Sequence, residues 1–117
     1  MPSSIAVIGQ GFVGGSLSTV FAERGVDVYA YDKAGKLATG SKPAKLDGTL
    51  ATSVLELVDA CEKREGFKKI YFVCLPTPMR PDGSADLSIV EGALRNLSEL
   101  PGERVAVVKS KIGRAHV

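Results

Sequence analysis

Apolar residues in this chain fall in short runs of strand length, separated by stretches with helical spacing and often closed by glycine. The first run, Ile5–Ile8, ends at Gly9. Phe12–Arg24 then reads as a helix, with Val13, Leu17, Val20 and Phe21 spaced to face a sheet and Gly25 as its stop. Val26–Tyr31 predicts a second strand. Lys33–Gly48 follows neither period and reads as an irregular connection, long enough to be mobile or functional. Thr52 or Ser53 is placed to cap a helix over Val54–Glu65. Glu56 completes a capping box with Ser53, Leu55, Val58 and Cys61 supply the apolar face, and Gly66 ends it. Lys69–Leu75 is almost continuously apolar, as a parallel strand covered on both faces should be. Three prolines stiffen the loop Pro76–Ser84, Ser88–Leu97 is a further helix with Asp86 as candidate cap, and Arg104–Lys109 predicts a last buried strand. Strands alternating with helices specify an α/β fold with a parallel, doubly wound sheet.

The turn after the first strand carries the candidate chemistry. Gly9, Gly11 and Gly14 stand at G-x-G-x-x-G spacing between a strand and a helix, and Asp32 follows 18 residues after Gly14 at the end of the second strand. This is the dinucleotide-binding pattern in its strand–turn–helix–strand setting. Gly9 permits the tight turn, Gly11 lets backbone approach a pyrophosphate, and Gly14 lets the helix pack on the sheet. The first-turn amides and the helix dipole favour the anion. Asp32 is the acceptor for the adenosine ribose hydroxyls and repels a 2′-phosphate, so NAD is favoured over NADP. Lys33 and Lys36 lie close enough to weaken that preference, and Lys36 is a candidate contact to the adenosine end.

Composition sets outer bounds. The 117 residues make one domain, with 44% hydrophobic and 24% charged residues, as in ordinary soluble domains. A net charge of +2 gives no reason to expect nucleic acid or an anionic membrane surface as partner, and no apolar run reaches bilayer length. Met1–Ser4 leaves no room for a signal peptide, and with only two cysteines the expected setting is cytoplasmic. Cys61 and Cys74, 13 residues apart with no histidine nearby, read as packing residues, so no metal site, disulfide or nucleophile is expected from them.

Three further motifs carry a resemblance. Val73-Cys74-Leu75-Pro76-Thr77-Pro78, Asp82-Gly83-Ser84-Ala85-Asp86-Leu87-Ser88-Ile89-Val90 and Val107-Val108-Lys109-Ser110 together resemble the N-terminal NAD-binding domain of the UDP-glucose/GDP-mannose dehydrogenase family over residues 4–110, nearer the UDP-sugar branch. The resemblance implies a Rossmann-type sheet, incomplete at its C-terminus, in a longer enzyme. That enzyme oxidises the C6 alcohol of a nucleotide sugar to a carboxylate with two NAD, through a thiohemiacetal and thioester on a cysteine. By resemblance, Gly9, Gly11, Phe12, Val13 and Gly14 hold the pyrophosphate, Asp32 the adenosine ribose, Pro76 and Thr77 line the cofactor's path, and Ser110 sits at the nicotinamide end. The catalytic nucleophile and base, the nucleotide-sugar contacts and the homo-oligomer interface belong to later domains, so this segment alone is expected to be inactive. Gly14-Gly15-Ser16-Leu17 is also similar to prephenate dehydrogenases. Another NAD-dependent dehydrogenase, or a free-standing dinucleotide-binding module, therefore stays open as an alternative.

Two departures stand out. The Lys33–Gly48 stretch is shorter than in the family and lacks its Glu-Pro-Gly-Leu, and Lys111 stands where the family has threonine. Residues 111–117 are expected to be a non-native tail. The codons ATC GGA AGA GCA CAC GTC would spell Ile112–Val117 and also a common sequencing adapter, and an adapter beginning AG would turn a threonine codon into the lysine codon AAG.

Overall fold

Five parallel strands stand in the order β3-β2-β1-β4-β5. The chain runs β1 (Ser4–Ile8), α1 (Phe12–Glu23), β2 (Asp27–Tyr31), β3 (Ser41–Pro43), α2 (Val54–Glu62), β4 (Phe67–Val73), α3 (Ser88–Glu99) and β5 (Val105–Val108). The computed structural model describes residues 3–109 apart from the Phe12 side chain, so Ser110 and the 111–117 tail lie outside the described residues.

Alternation along the strands builds two cores. Ala6 and Ile8 of β1 join Tyr29, Tyr71 and Val73 on one face, packed against Leu57, Val58 and Cys61 of α2 and Val90, Ala93 and Leu97 of α3. Ile5, Val7 and Val28 point the other way, with Phe21 of α1, Ile70 and Phe72 beside them. Helices on both faces make the sheet doubly wound, as expected.

The helix ends follow from local chemistry. At the end of α1, Gly25 at φ +80° donates its N–H to Ala22 O and Val26 donates to Phe21 O, a Schellman closure. The start of α2 is capped reciprocally. Ser53 Oγ accepts from Glu56 N (3.1 Å), and the Glu56 carboxylate accepts from the N–H and hydroxyl of Thr52. The returning arm thus lands on Thr52. Asp86 Oδ1 accepts from Ser88 N (3.0 Å) at the entry to α3.

Four expectations need correction. Lys33–Gly48 is not wholly irregular, because Ser41–Pro43 pairs with β2 as an edge strand too short to show a period. Its Pro43 sits at a position an edge tolerates. On α1, Gly14 and Ser18 are buried while Val13 and Val20 are exposed. Close approach at Gly14 turns that arc onto the sheet, and the two valines lie about 100° further round. Helix α2 stops at Glu62, three residues early, and its buried set is Val54, Leu57, Val58, Ala60 and Cys61, with Leu55 only half-buried. Strand β5 is largely exposed rather than buried, since β4 is its only strand neighbour among the described residues.

Candidate functional site

The order of the strands puts a crevice at one place. Chain connection runs outward from β1 to β2 and β3 on one side and from β4 to β5 on the other, so the carboxyl ends of β1 and β4 meet at the point where the order reverses. Open α/β sheets bind ligands outside such a switch point. Gly9 leaves β1 there, donating its N–H to Tyr31 O of β2 (2.7 Å), while Cys74 donates to Ile8 O (2.8 Å) as the chain leaves β4.

The three glycines have three different reasons. Gly9, at φ +97°, lies so close to β4 that a Cβ would stand 2.5 Å from the carbonyl oxygen of Cys74. At Gly14 a Cβ would overlap the Gly9 carbonyl. At Gly11, by contrast, a Cβ would meet nothing within 4 Å. The first and third glycines close the backbone on itself, and the second keeps the space over the helix mouth clear. The start of α1 has Gly11 as N-cap, no side-chain cap and no acidic residue in its first turn, whereas α2 is fully boxed. An uncapped first turn beside open space is what a pyrophosphate requires, so the residues present fit a dinucleotide.

Asp32 stands at the end of β2, half-buried. Its Oδ1 accepts from Gln10 N (2.9 Å), and its Oδ2 from Ala34 N (3.0 Å) and Lys36 N (3.3 Å). These bonds tie the acid to the glycine turn and wrap the following loop around it, while a carboxylate has about four acceptor positions in all. The backbone of Lys36 belongs to this wrap, and its residue is exposed. Exposed Val13 lies at the first turn of α1 and Phe12 opens that helix. On the β4 side, Pro76 is exposed and Thr77 is buried at the start of the proline loop. That loop is no loose strap. Met79 bridges Ala85, Arg80 N donates to Ser84 O (2.7 Å) and Asp86 N to Pro78 O (2.7 Å).

Gln10 was not legible as a site residue. Its side chain is buried, donating Nε2 to Gly9 O (3.2 Å) and Ser18 Oγ (3.1 Å) and accepting at Oε1 from Ala38 N (3.0 Å) and Ser41 Oγ (2.8 Å). No spacing in the sequence links it to Ala38 and Ser41, 28 and 31 residues on.

Neither thiol is activated. Burial pushes Cys61 up to about 12, and burial also raises Cys74 despite the charge of Lys109. Both stay protonated at neutral pH and are poor nucleophiles. Among the described residues, no three His, Cys, Asp or Glu side chains are grouped to hold a metal, and no helix is long and apolar enough to cross a membrane.

Sheet order, glycine turn and acid together define a dinucleotide-binding α/β domain. Residues 3–114 match the family model described as the UDP-glucose/GDP-mannose dehydrogenase family, NAD binding domain, and the chain belongs to that family. It is 34% identical over 121 residues to a UDP-glucose 6-dehydrogenase of Rhizobium meliloti, covering 92% of this chain and 28% of the relative. It is 29% identical over 115 residues to a UDP-N-acetyl-D-mannosamine dehydrogenase of Pyrococcus horikoshii, covering 89% and 27%. Among solved structures, a UDP-glucose dehydrogenase from Pyrobaculum islandicum superposes with a TM-score of 0.64 at 28% identity, over 96% of this chain and 29% of that one. The chain thus spans less than a third of each of these relatives. NAD is the cofactor of the domain.

Proposed function

We propose that residues 1–110 are the cofactor-binding part of a nucleotide-sugar 6-dehydrogenase of the UDP-sugar type. The observation that carries this reading is the meeting, at the switch point, of an uncapped helix mouth, a clear space over Gly11 and the Asp32 carboxylate. Membership of the family and the likeness to a UDP-glucose 6-dehydrogenase support the sugar class. Gly11, Phe12, Val13 and Gly14 hold the pyrophosphate through backbone amides, and Gly9, whose own N–H is taken by Tyr31 O, shapes the turn that presents them. Asp32 takes the adenosine ribose on its remaining acceptor capacity, with Lys36 beside it, and Pro76 and Thr77 flank the cofactor where it passes β4. Ser110 is assigned to the nicotinamide end. Bound NAD supplies the hydride acceptor.

In this reading the whole protein is a cytoplasmic homo-oligomer that converts a C6 alcohol to a carboxylate with two NAD. The present chain, which spans less than a third of those relatives, binds the cofactor and turns nothing over. Titration of the chain with NAD, paired with an absorbance assay for NADH in the presence of UDP-glucose, tests both halves. Saturable binding without turnover is expected. Absence of binding by folded protein overturns the cofactor assignment, and turnover by the chain alone overturns the division of labour.

A further inference from the structure

We infer that Gln10 is a positioning residue for the cofactor: its side chain holds the segment 38–41, where the loop that wraps Asp32 returns to the sheet, against α1 and the glycine turn. The inference rests on the NAD reading above for its consequence, but its structural half stands on hydrogen bonds alone.

The Gln10 side chain has two donors and two acceptor positions, and all four are used. Two partners, Gly9 and Ser18, lie on the turn and the helix that face the pyrophosphate. The other two, Ala38 and Ser41, lie where the loop after Asp32 returns to form β3. The backbone N–H of the same residue reaches Asp32 Oδ1. Gln10 is therefore bonded to both halves of the pocket. The turn is glycine-rich, and Lys33–Leu37 is exposed.

Packing agrees with a fixed docking of that segment. A Cβ on Gly15 would sit 3.4 Å from the Ala38 Cβ, and one on Gly40 would sit 2.6 Å from the Ala22 Cβ, so the loop lies directly on the helix. Thr19 Oγ1, on the same side of α1, is 3.0 Å from Gly15 O and 3.1 Å from Thr39 O, which share its single proton as acceptors. These contacts bring the surfaces together, while the four Gln10 bonds set their register.

Gln10→Met keeps the length and most of the volume and removes all four side-chain bonds. In the full chain, we expect the Kd for NADH, read by fluorescence, to rise about ten-fold, and amide exchange at Ala38 to accelerate by about the same factor. Exchange in α2 should stay within about two-fold of the parent, because the release is local. A merely structural role gives the opposite pattern: exchange rises alike across the chain while the folded fraction keeps the parental Kd, and that result overturns the proposal. If Gln10→Met does not fold, Ser41→Ala removes one of the four bonds at the rim. A rise of about three-fold in Kd is then expected, and an unchanged Kd overturns the proposal. Should the parent chain fail to bind NADH at all, the cofactor reading fails, and selective acceleration at Ala38 still decides whether Gln10 holds the loop.

Discussion

A side chain on Gly14 has nowhere to go, because its Cβ would overlap the carbonyl oxygen of Gly9 five residues earlier. Gly11, between them, faces open space and has an ordinary φ of −74°. The two positions therefore separate folding from binding. Gly14→Ala should destabilise the domain by about 3 kcal/mol, as overpacking against backbone does. Gly11→Ala should change stability by no more than about 0.5 kcal/mol yet weaken NAD about ten-fold, since its methyl occupies the approach to the helix mouth. Urea denaturation and NAD titration on both variants check the pair.

Asp32 serves the loop as well as the ligand. Asp32→Asn replaces one acceptor oxygen with an NH2 group that must face Gln10 N–H or the Ala34 and Lys36 amides. Affinity for NAD should fall about ten-fold, and the gap between NAD and NADP should narrow because the repelling charge is gone. Parallel titrations with the two cofactors measure both effects.

Much of this site was legible because it is written in short spacings. Gly9, Gly11 and Gly14 share one turn, Asp32 ends the next strand, and the proline loop announces itself by composition. What could not be read depends on segments that meet only in the fold. Gln10 finds Ala38 and Ser41 28 and 31 residues away, through a loop with no period of its own. Exposure of β5 is similarly a matter of neighbours: an apolar run such as Val105–Val108 says nothing of how many strands and helices will cover it. Val13 and Val20 misled for a related reason. Helical spacing picks out an apolar stripe, but close approach at a glycine decided which arc met the sheet.

The far edge of the sheet holds a network that spans 42 residues of sequence. Arg104 grips both oxygens of Glu62 (2.8 and 2.9 Å) and donates to Leu97 O and Leu100 O at the end of α3, while Tyr71 OH donates to Glu62 Oε2 (2.8 Å). With Arg104 almost fully buried, Arg104→Met strands a carboxylate and two helix carbonyls and should cost about 3 kcal/mol. Hydrogen bonding from Arg104 holds the Glu62 carboxyl below its ordinary 4.5. A depressed carboxyl contributes stability in full above its unfolded value and loses it as pH falls through the folded one. Denaturation midpoints should therefore drop as the medium is acidified below about pH 4.5, and Glu62→Gln should flatten that acid limb.

Strand β5 presents Val105 and Val108 to solvent, 56% and 46% exposed, on an edge with one strand neighbour among the described residues. Exposed apolar edges template strand pairing between molecules. The chain should self-associate with rising concentration, and Val105→Lys should reduce that association without altering NAD binding. Light scattering across a concentration series, with and without the substitution, gives the comparison.

The location of the cofactor is most directly tested by amide resonances of the isotopically labelled chain during NAD addition. Shifts should concentrate at Gln10, Gly11, Asp32 and Thr77, around the carboxyl ends of β1, β2 and β4, and leave Lys68, Lys69 and Gly102, at the amino ends of β4 and β5, unmoved. Shifts confined to those amino ends, or none at saturating NAD in folded protein, would contradict a dinucleotide site at the switch point.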